Sequence, residues 1–222
     1  MVQSFSLIDA ASLGDLKVYL GRAARVDNGS VRLIGGLGVL AAYTASLTPK
    51  GLLDRTPTVL GLRTFALSSP DAFDTTVSIR ALLDRLAQLS VLSNSVDGPV
   101  EVPLPPAETG IAWAGISPPR GGWQVEGAVD ALTLDTAARL GIAEVAAAVP
   151  ADTGEQLVHR VRSEVWGRAL PDLSDELPAI PAGAAFCAVS LGFIIPGDEM
   201  SVYASGGWLR LTSRRGHVLV RP

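Results

Sequence analysis

GGWLRLTSRRGHVLVRP, Gly206 to Pro222, alternates apolar and polar residues on either side of a central Ser213-Arg214-Arg215-Gly216. Successive side chains of a strand take opposite faces. Folded back on itself, this stretch puts Leu209 and Leu211 on one face with Val218 and Val220. Trp208, Arg210, Leu219 and Arg221 fall on the other, and Arg214 and Arg215 lie at the turn. Slipping the pairing by one residue would expose the leucines and bury the arginines, so the pattern fixes one register. The chain is predicted to end in an antiparallel β-hairpin with one face in the core.

Working outward, Met200 to Ala204 reads as a third strand beside that hairpin. Ala182 to Phe193 is apolar nearly all round, the mark of a buried helix. The acidic, proline-punctuated LPDLSDELPAIP (Leu170 to Pro181) connects it to what precedes. Two amphipathic helices come before that. Leu134, Ala138, Ile142, Val145 and Val149 form one stripe, and Thr153 with Gln156 opens a segment carrying Val158, Val161 and Val165. Short strands are expected at Gly110 to Ile116 and Trp123 to Gly127, flanking SPPRGG.

In the first half, Ser12 with Asp15 resembles a capping box, and Leu13, Leu16, Leu20 and Ala24 share a helical face. Strands are predicted at Val31 to Ile34, Val39 to Leu47 and Val59 to Leu67. A helix with Ile79, Leu82, Leu83 and Leu86 on one face follows. Strands and helices segregate rather than alternate, which argues for an α+β fold of antiparallel sheets with helices on one side. The boundaries expected are an α+β half over 1–93, a proline-rich connection over 94–109 and a second α+β half over 110–222; one compact domain is the alternative.

Four segments, PPRGGW (Pro118 to Trp123), GIAEVAAA (Gly141 to Ala148), EVWGR (Glu164 to Arg168) and RGHVLVR (Arg215 to Arg221), resemble a family of actinobacterial proteins without an assigned function. The resemblance implies a bacterial origin and transfers no catalytic residue.

The 222 residues include 22 acids against 18 lysines and arginines, so the net charge is -4; the 48% hydrophobic content excludes large-scale disorder. Aromatics make up only 5%, too few for the stacking platforms of single-stranded nucleic-acid binders. The N-terminus lacks the basic region of a secretory signal, and a lone cysteine, Cys187, fits a reducing compartment, so a cytoplasmic protein is expected. The long uncharged stretches are broken by glycine or proline and do not read as membrane spans.

Chemistry-bearing motifs are sparse. Gly36-Leu37-Gly38-Val39-Leu40-Ala41 satisfies G-x-G-x-x-A, and Asp54 lies near the distance at which a ribose-binding acid is found. The segment after it is short and uncapped, which favours a hairpin turn over a phosphate loop. His159 and His217 have no metal-ligand spacing, Cys187 sits in apolar AAFCAVS, and Asp172, Asp175 and Glu176 lack the spacing of a calcium loop. Neither a metal nor a cofactor is expected. Arg120, at the apex of a loop stiffened by two prolines, reads as an anion clamp or as a turn residue paired with an acid of its own chain.

The leading expectation is a non-catalytic protein that binds itself or another protein. Its candidate surface is Arg120, Trp123, Trp208, Arg210, Arg214, Arg215, His217 and Arg221. One alternative is a nucleotide- or small-anion-binding enzyme using Gly36 to Ala41 and the Arg120 loop. The other is nucleic-acid binding through the terminal arginines, disfavoured because no basic recognition helix precedes the hairpin.

Overall fold

The structure is a computed structural model that describes residues 4–51, 53–92, 98–150, 153–171, 173–174 and 176–222. The fold is α+β with antiparallel sheets, as the segregation of elements implies. The chain divides into two compact units, Met1–Ala45 with Leu62–Ile116, and Ser46–Gly61 with Ser117–Pro222.

In the first unit β1 (Ser4–Leu7) leads into α1 (Ala10–Val26). The cap of α1 is Asp9 rather than Ser12: its Oδ1 accepts the Ser12 N–H at 2.7 Å. Next come β2 (Ser30–Gly36), β3 (Val39–Leu47), β4 (Thr58–Ala66), β5 (Phe73–Ser78) and α2 (Ile79–Leu92). The strand order is β5-β2-β3-β4. Val31, Leu33, Leu40, Ala42 and Val77 are buried on this sheet, as are Leu16, Tyr19, Leu20 and Ala23 of α1 and Ile79, Leu82 and Leu86 of α2. Tyr19 keeps its hydroxyl satisfied there by donating to the Ala42 carbonyl at 3.2 Å and meeting Thr44 Oγ1 at 2.9 Å.

Gly36 to Ala41 is a hairpin turn. Gly36 pairs with Val39 across the β2–β3 ladder, and Leu37 and Gly38 both have positive φ (53° and 78°), the pattern of a type I′ turn. No helix follows, so the backbone donors of a phosphate loop are never assembled, and the dinucleotide reading is corrected. Within the stretch read as a proline-rich connection, Val100–Pro103 forms β6, which pairs with β1. Just after it Ala107 bridges Val77, and Glu108 N–H donates to the Thr76 carbonyl, closing part of the outer edge of β5. Ala112–Gly115, within a predicted strand, is a 3-10 turn. Arg32 holds it by donating to the Ala114 carbonyl at 2.6 Å while gripping Asp74 with two further N–H groups.

In the second unit the order is β10-β9-β8-β7, formed by β7 (Gln124–Asp130), β8 (Glu199–Ser205), β9 (Trp208–Ser213) and β10 (Gly216–Arg221). Between β7 and β8 run α3 (Ala131–Ala148), α4 (Glu155–Gly167) and α5 (Ala182–Leu191). Helix α5 is buried on several sides and stops at Gly192, which takes the left-handed conformation (φ 73°) that glycine adopts without strain. Leu209, Leu211, Val218 and Val220 are all buried, so the sequence-derived hairpin and its inward face are correct in register. Asp172 and Asp175 lie outside the described residues.

Candidate functional site

Glycines at 206 and 207, both with positive φ, close a two-residue turn between β8 and β9. That turn length fixes Tyr203 opposite Arg210, and Trp123 comes alongside from the position just before β7, whose first residue Gln124 pairs with Ala204. The result is a sandwich: the Arg210 guanidinium carbon lies 4.6 Å from the Trp123 ring centroid and 4.6 Å from that of Tyr203. Flat guanidinium faces suit aromatic rings on both sides. The loop before β7 is held in place around this stack. Trp123 Nε1–H donates to the Pro119 carbonyl and Ser205 Oγ–H to the Gly121 carbonyl, each at 3.2 Å.

Arg210 pairs with no carboxylate among the described residues. Its Nε–H is enclosed and meets no acceptor among the described residues. Other arginines of the chain are differently placed: Arg32 grips Asp74, Arg63 grips Asp15, Arg139 grips Asp135, and Arg168 spans Glu144 and Glu164.

The remaining predicted site residues separate. Trp208 and Leu219, expected on an exposed face, are 4% and 2% exposed, so that face is covered at those positions. His217 is half-buried, its Nδ1 3.0 Å from Thr212 Oγ1. Burial, and then the positive charge of Arg210, push its pKa below the usual histidine value. Arg120, Arg214, Arg215 and Arg221 are exposed and make no ion pair among the described residues, so Arg120 read as a turn residue paired with an acid of its own chain finds no such acid among them. Sequence reasoning missed Tyr203. The Gly206-Gly207 turn was the signal that would have found it, since two-residue closure determines every cross-strand partner of Arg210.

A second polar cluster lies on the loop between β3 and β4. Asp54 accepts four donors: the Lys50 N–H at 2.8 Å, the Thr56 N–H at 2.9 Å, the Thr56 hydroxyl at 2.5 Å and His159 Nε2 at 2.8 Å. Burial raises its pKa, but these hydrogen bonds outweigh burial and hold it well below the usual carboxylate range. Glu155, one helical turn before His159, pairs with Lys50 at 2.8 Å. Ser163 Oγ also approaches His159, at 3.3 Å, yet on the same Nε2 that faces Asp54. A nucleophile relay needs the serine and the carboxylate on opposite ring nitrogens, so this trio is a clip, not a proton relay. Cys187 is fully buried, takes a hydrogen bond from Ser46 Oγ at 3.2 Å and has its thiol pushed up to about 12 by desolvation. It is not a nucleophile at neutral pH.

Residues 1–115 match the family described as a domain of unknown function, DUF8010. The chain belongs to the DUF8010 family. Residues 118–222 match a second domain of unknown function, DUF8185. No protein of curated function matches this DUF8010 chain in sequence.

Among solved structures its fold is similar to Caulobacter crescentus pol III beta, at TM-score 0.52 and 12% identity over 99% of this chain and 65% of that one. DNA polymerase III subunit beta from Borrelia burgdorferi gives TM-score 0.52 at 6% identity, over 98% of this chain and 64% of that one. The DNA polymerase sliding clamp from Pseudomonas aeruginosa gives 0.50 at 13% identity, with the same coverage. The DUF8010 chain thus spans just under two thirds of the length of these clamps. At such identities the likeness is one of fold. No helix among the described residues is long and apolar enough to cross a membrane.

Proposed function

We propose that this chain is a non-catalytic, clamp-like component of the bacterial cytoplasm that associates with a second copy of itself and works at DNA. The observation that carries self-association is an unpartnered surface on the second unit. Strand β7 is an edge of its sheet and Val125 on it is 72% exposed. Helix α3 follows directly, with Leu132 at 74%, Leu140 at 65% and Ile142 at 43% exposure. Leu132, Thr136, Leu140, Ala143 and Ala147 recur at helical spacing opposite the buried Leu134, Ala138 and Gly141. An open ladder edge beside an apolar helix face is surface that a folded chain covers with another protein. A second copy brings the same edge and the same stripe, and two such edges can continue one antiparallel sheet.

The clamp-like fold supports DNA as the place of action, and so does charge. Helices α1 and α2 together carry Lys17, Arg22, Arg25, Arg80 and Arg85 against Asp15 and Asp84, although the whole chain is at -4. Asp15 is engaged by Arg63 at 2.8 Å. A basic helix pair on an acidic protein favours a polyanion locally.

Native mass spectrometry across a dilution series tests the first part. A species larger than a monomer is expected, and Leu132→Glu with Leu140→Glu raises its dissociation constant at least tenfold, by roughly 1.4 kcal/mol. A strict monomer at the highest concentration sinks self-association. For DNA, affinity that falls with salt and with Arg25→Gln and Arg80→Gln is expected; a duplex that does not bind at low salt removes that part.

A further inference from the structure

Arg210 is a stacked guanidinium with no anion beside it among the described residues. Two rings fix the guanidinium plane, one edge of the group (Nε) is enclosed, and neither Nη atom is among the enclosed, unpartnered ones. No hydrogen bond or ion pair to Arg210 forms among the described residues. Burying an N–H without an acceptor is unfavourable, and stacking on two rings offsets that cost. A packing staple for the Trp123 loop would work with an aliphatic side chain and avoid that cost. What requires arginine is a planar fork held open at its free edge.

We propose that this fork receives a side-chain carboxylate from an acidic segment of a partner protein. The charge distribution names the partner's chemistry. From Ser201 to the end there are four arginines and no acid, which leaves -8 on the rest of a chain of net charge -4. Arg120 lies at the tip of the loop that carries Trp123, and Arg221 shares the face of Arg210 two residues beyond its cross-strand partner Leu219, so both add to the positive surface. Both are exposed and pair with no acid among the described residues. Carboxylate is favoured over nucleic acid because the two rings nearest the fork are already occupied by it. One face of each is thereby closed to a stacking base.

The ordering of the guanidinium before binding matters for strength. Arginine carries much rotamer entropy, and a side chain already stacked on Trp123 and Tyr203 does not lose it again when the carboxylate arrives.

The probe is a fluorescein-labelled twelve-residue peptide of alternating glutamate and glycine, followed by fluorescence polarisation at low salt. Binding by the wild-type chain is expected, weakened at least tenfold by Arg210→Gln. Arg210→Lys, which keeps the charge and loses the fork, weakens it at least threefold, and Arg214→Gln with Arg215→Gln by less than threefold. Because Arg210→Gln can disturb the Trp123 loop, the wild-type protein is also followed by the NMR resonance of the Arg210 Nε–H, which shifts on adding the peptide. The proposal is overturned by absence of peptide binding, by Arg210→Gln binding within twofold of wild type, or by an unmoved Nε–H signal. Displacement of the peptide by oligothymidylate of equal charge at tenfold lower concentration overturns it in favour of a phosphate ligand. Each readout is independent of oligomeric state, so the carboxylate site and self-association fail separately.

Discussion

Gly141 of α3 lies flush against the indole of Trp166 on α4: a Cβ built on the glycine would overlap the ring carbons Cζ3 and Cη2. Trp166 is itself 2% exposed and stacked on Phe186 of α5 at 4.5 Å, so it has nowhere to go. Glycine in a helix ordinarily costs 0.5–1 kcal/mol relative to alanine, and Gly→Ala on a helix usually stabilises. Here the sign reverses. Gly141→Ala is expected to destabilise by about 1–3 kcal/mol through overpacking, read as a lower urea midpoint. Gly14 on α1, where nothing stands near a built Cβ, is the control and is expected to gain stability on substitution by alanine.

That contact also marks the limit of what the sequence makes legible. Periodicity finds α3 from Leu134, Ala138 and Val145, and alternation finds β9 and β10 from Leu209, Leu211, Val218 and Val220, because each is a local pattern imposed by one buried face. Periodicity does not reveal that Gly141 must be small, since its reason is a tryptophan 25 positions on. The same holds for Arg210. Its exposure follows by alternation from Leu209 and Leu211, and that inference is half right. Only the register set by the Gly206-Gly207 turn and the return of the chain at Trp123 shows that two rings occupy its faces. Local alternation also misplaces Trp208 and Leu219, which are buried on a face that the arginines suggest is open.

The Trp123 stack fastens the loop Ser117 to Gly122, whose tip carries exposed Arg120. Removing the ring by Trp123→Ala takes away one cation–π contact and the indole hydrogen bond to Pro119 together. Limited digestion with trypsin, which cuts after Arg120, reads the result. Cleavage there is expected to speed up several-fold in the variant, and an unchanged rate shows that the prolines alone hold the loop.

His217 gives the protein an acid-side sensitivity near neutrality. Its pKa is lowered in the folded state, by burial first and by the charge of Arg210 second, from an ordinary value of 6.5. The unfolded chain therefore takes up the proton first as pH falls, and the proton favours unfolding. Stability is full above about pH 6.5 and declines below it. His217→Gln is expected to flatten this slope between about pH 7 and pH 5, measured as urea midpoints across that range. A slope that survives the substitution assigns it elsewhere.

Asp54 acts in a lower window and through a different set of contacts. Its carboxylate, accepting from Lys50, Thr56 and His159, is held below the usual range, so the folded chain keeps it ionised where the unfolded chain begins to protonate. The contribution is present above the ordinary pKa of 3.8 and is lost as pH falls below it. Asp54→Asn replaces one acceptor oxygen with an NH₂ that faces donors, leaving one backbone N–H of the loop, that of Lys50 or of Thr56, without its acceptor. Each such loss costs about 1–3 kcal/mol where the group is shielded from water. The variant is expected to be less stable than wild type by that order at about pH 7, with the gap narrowing as pH falls through about 3 because the unfolded wild-type chain takes up a proton there while the folded chain still holds Asp54 ionised. A gap that stays constant with pH means the loop is held by its shape rather than by the charge on Asp54.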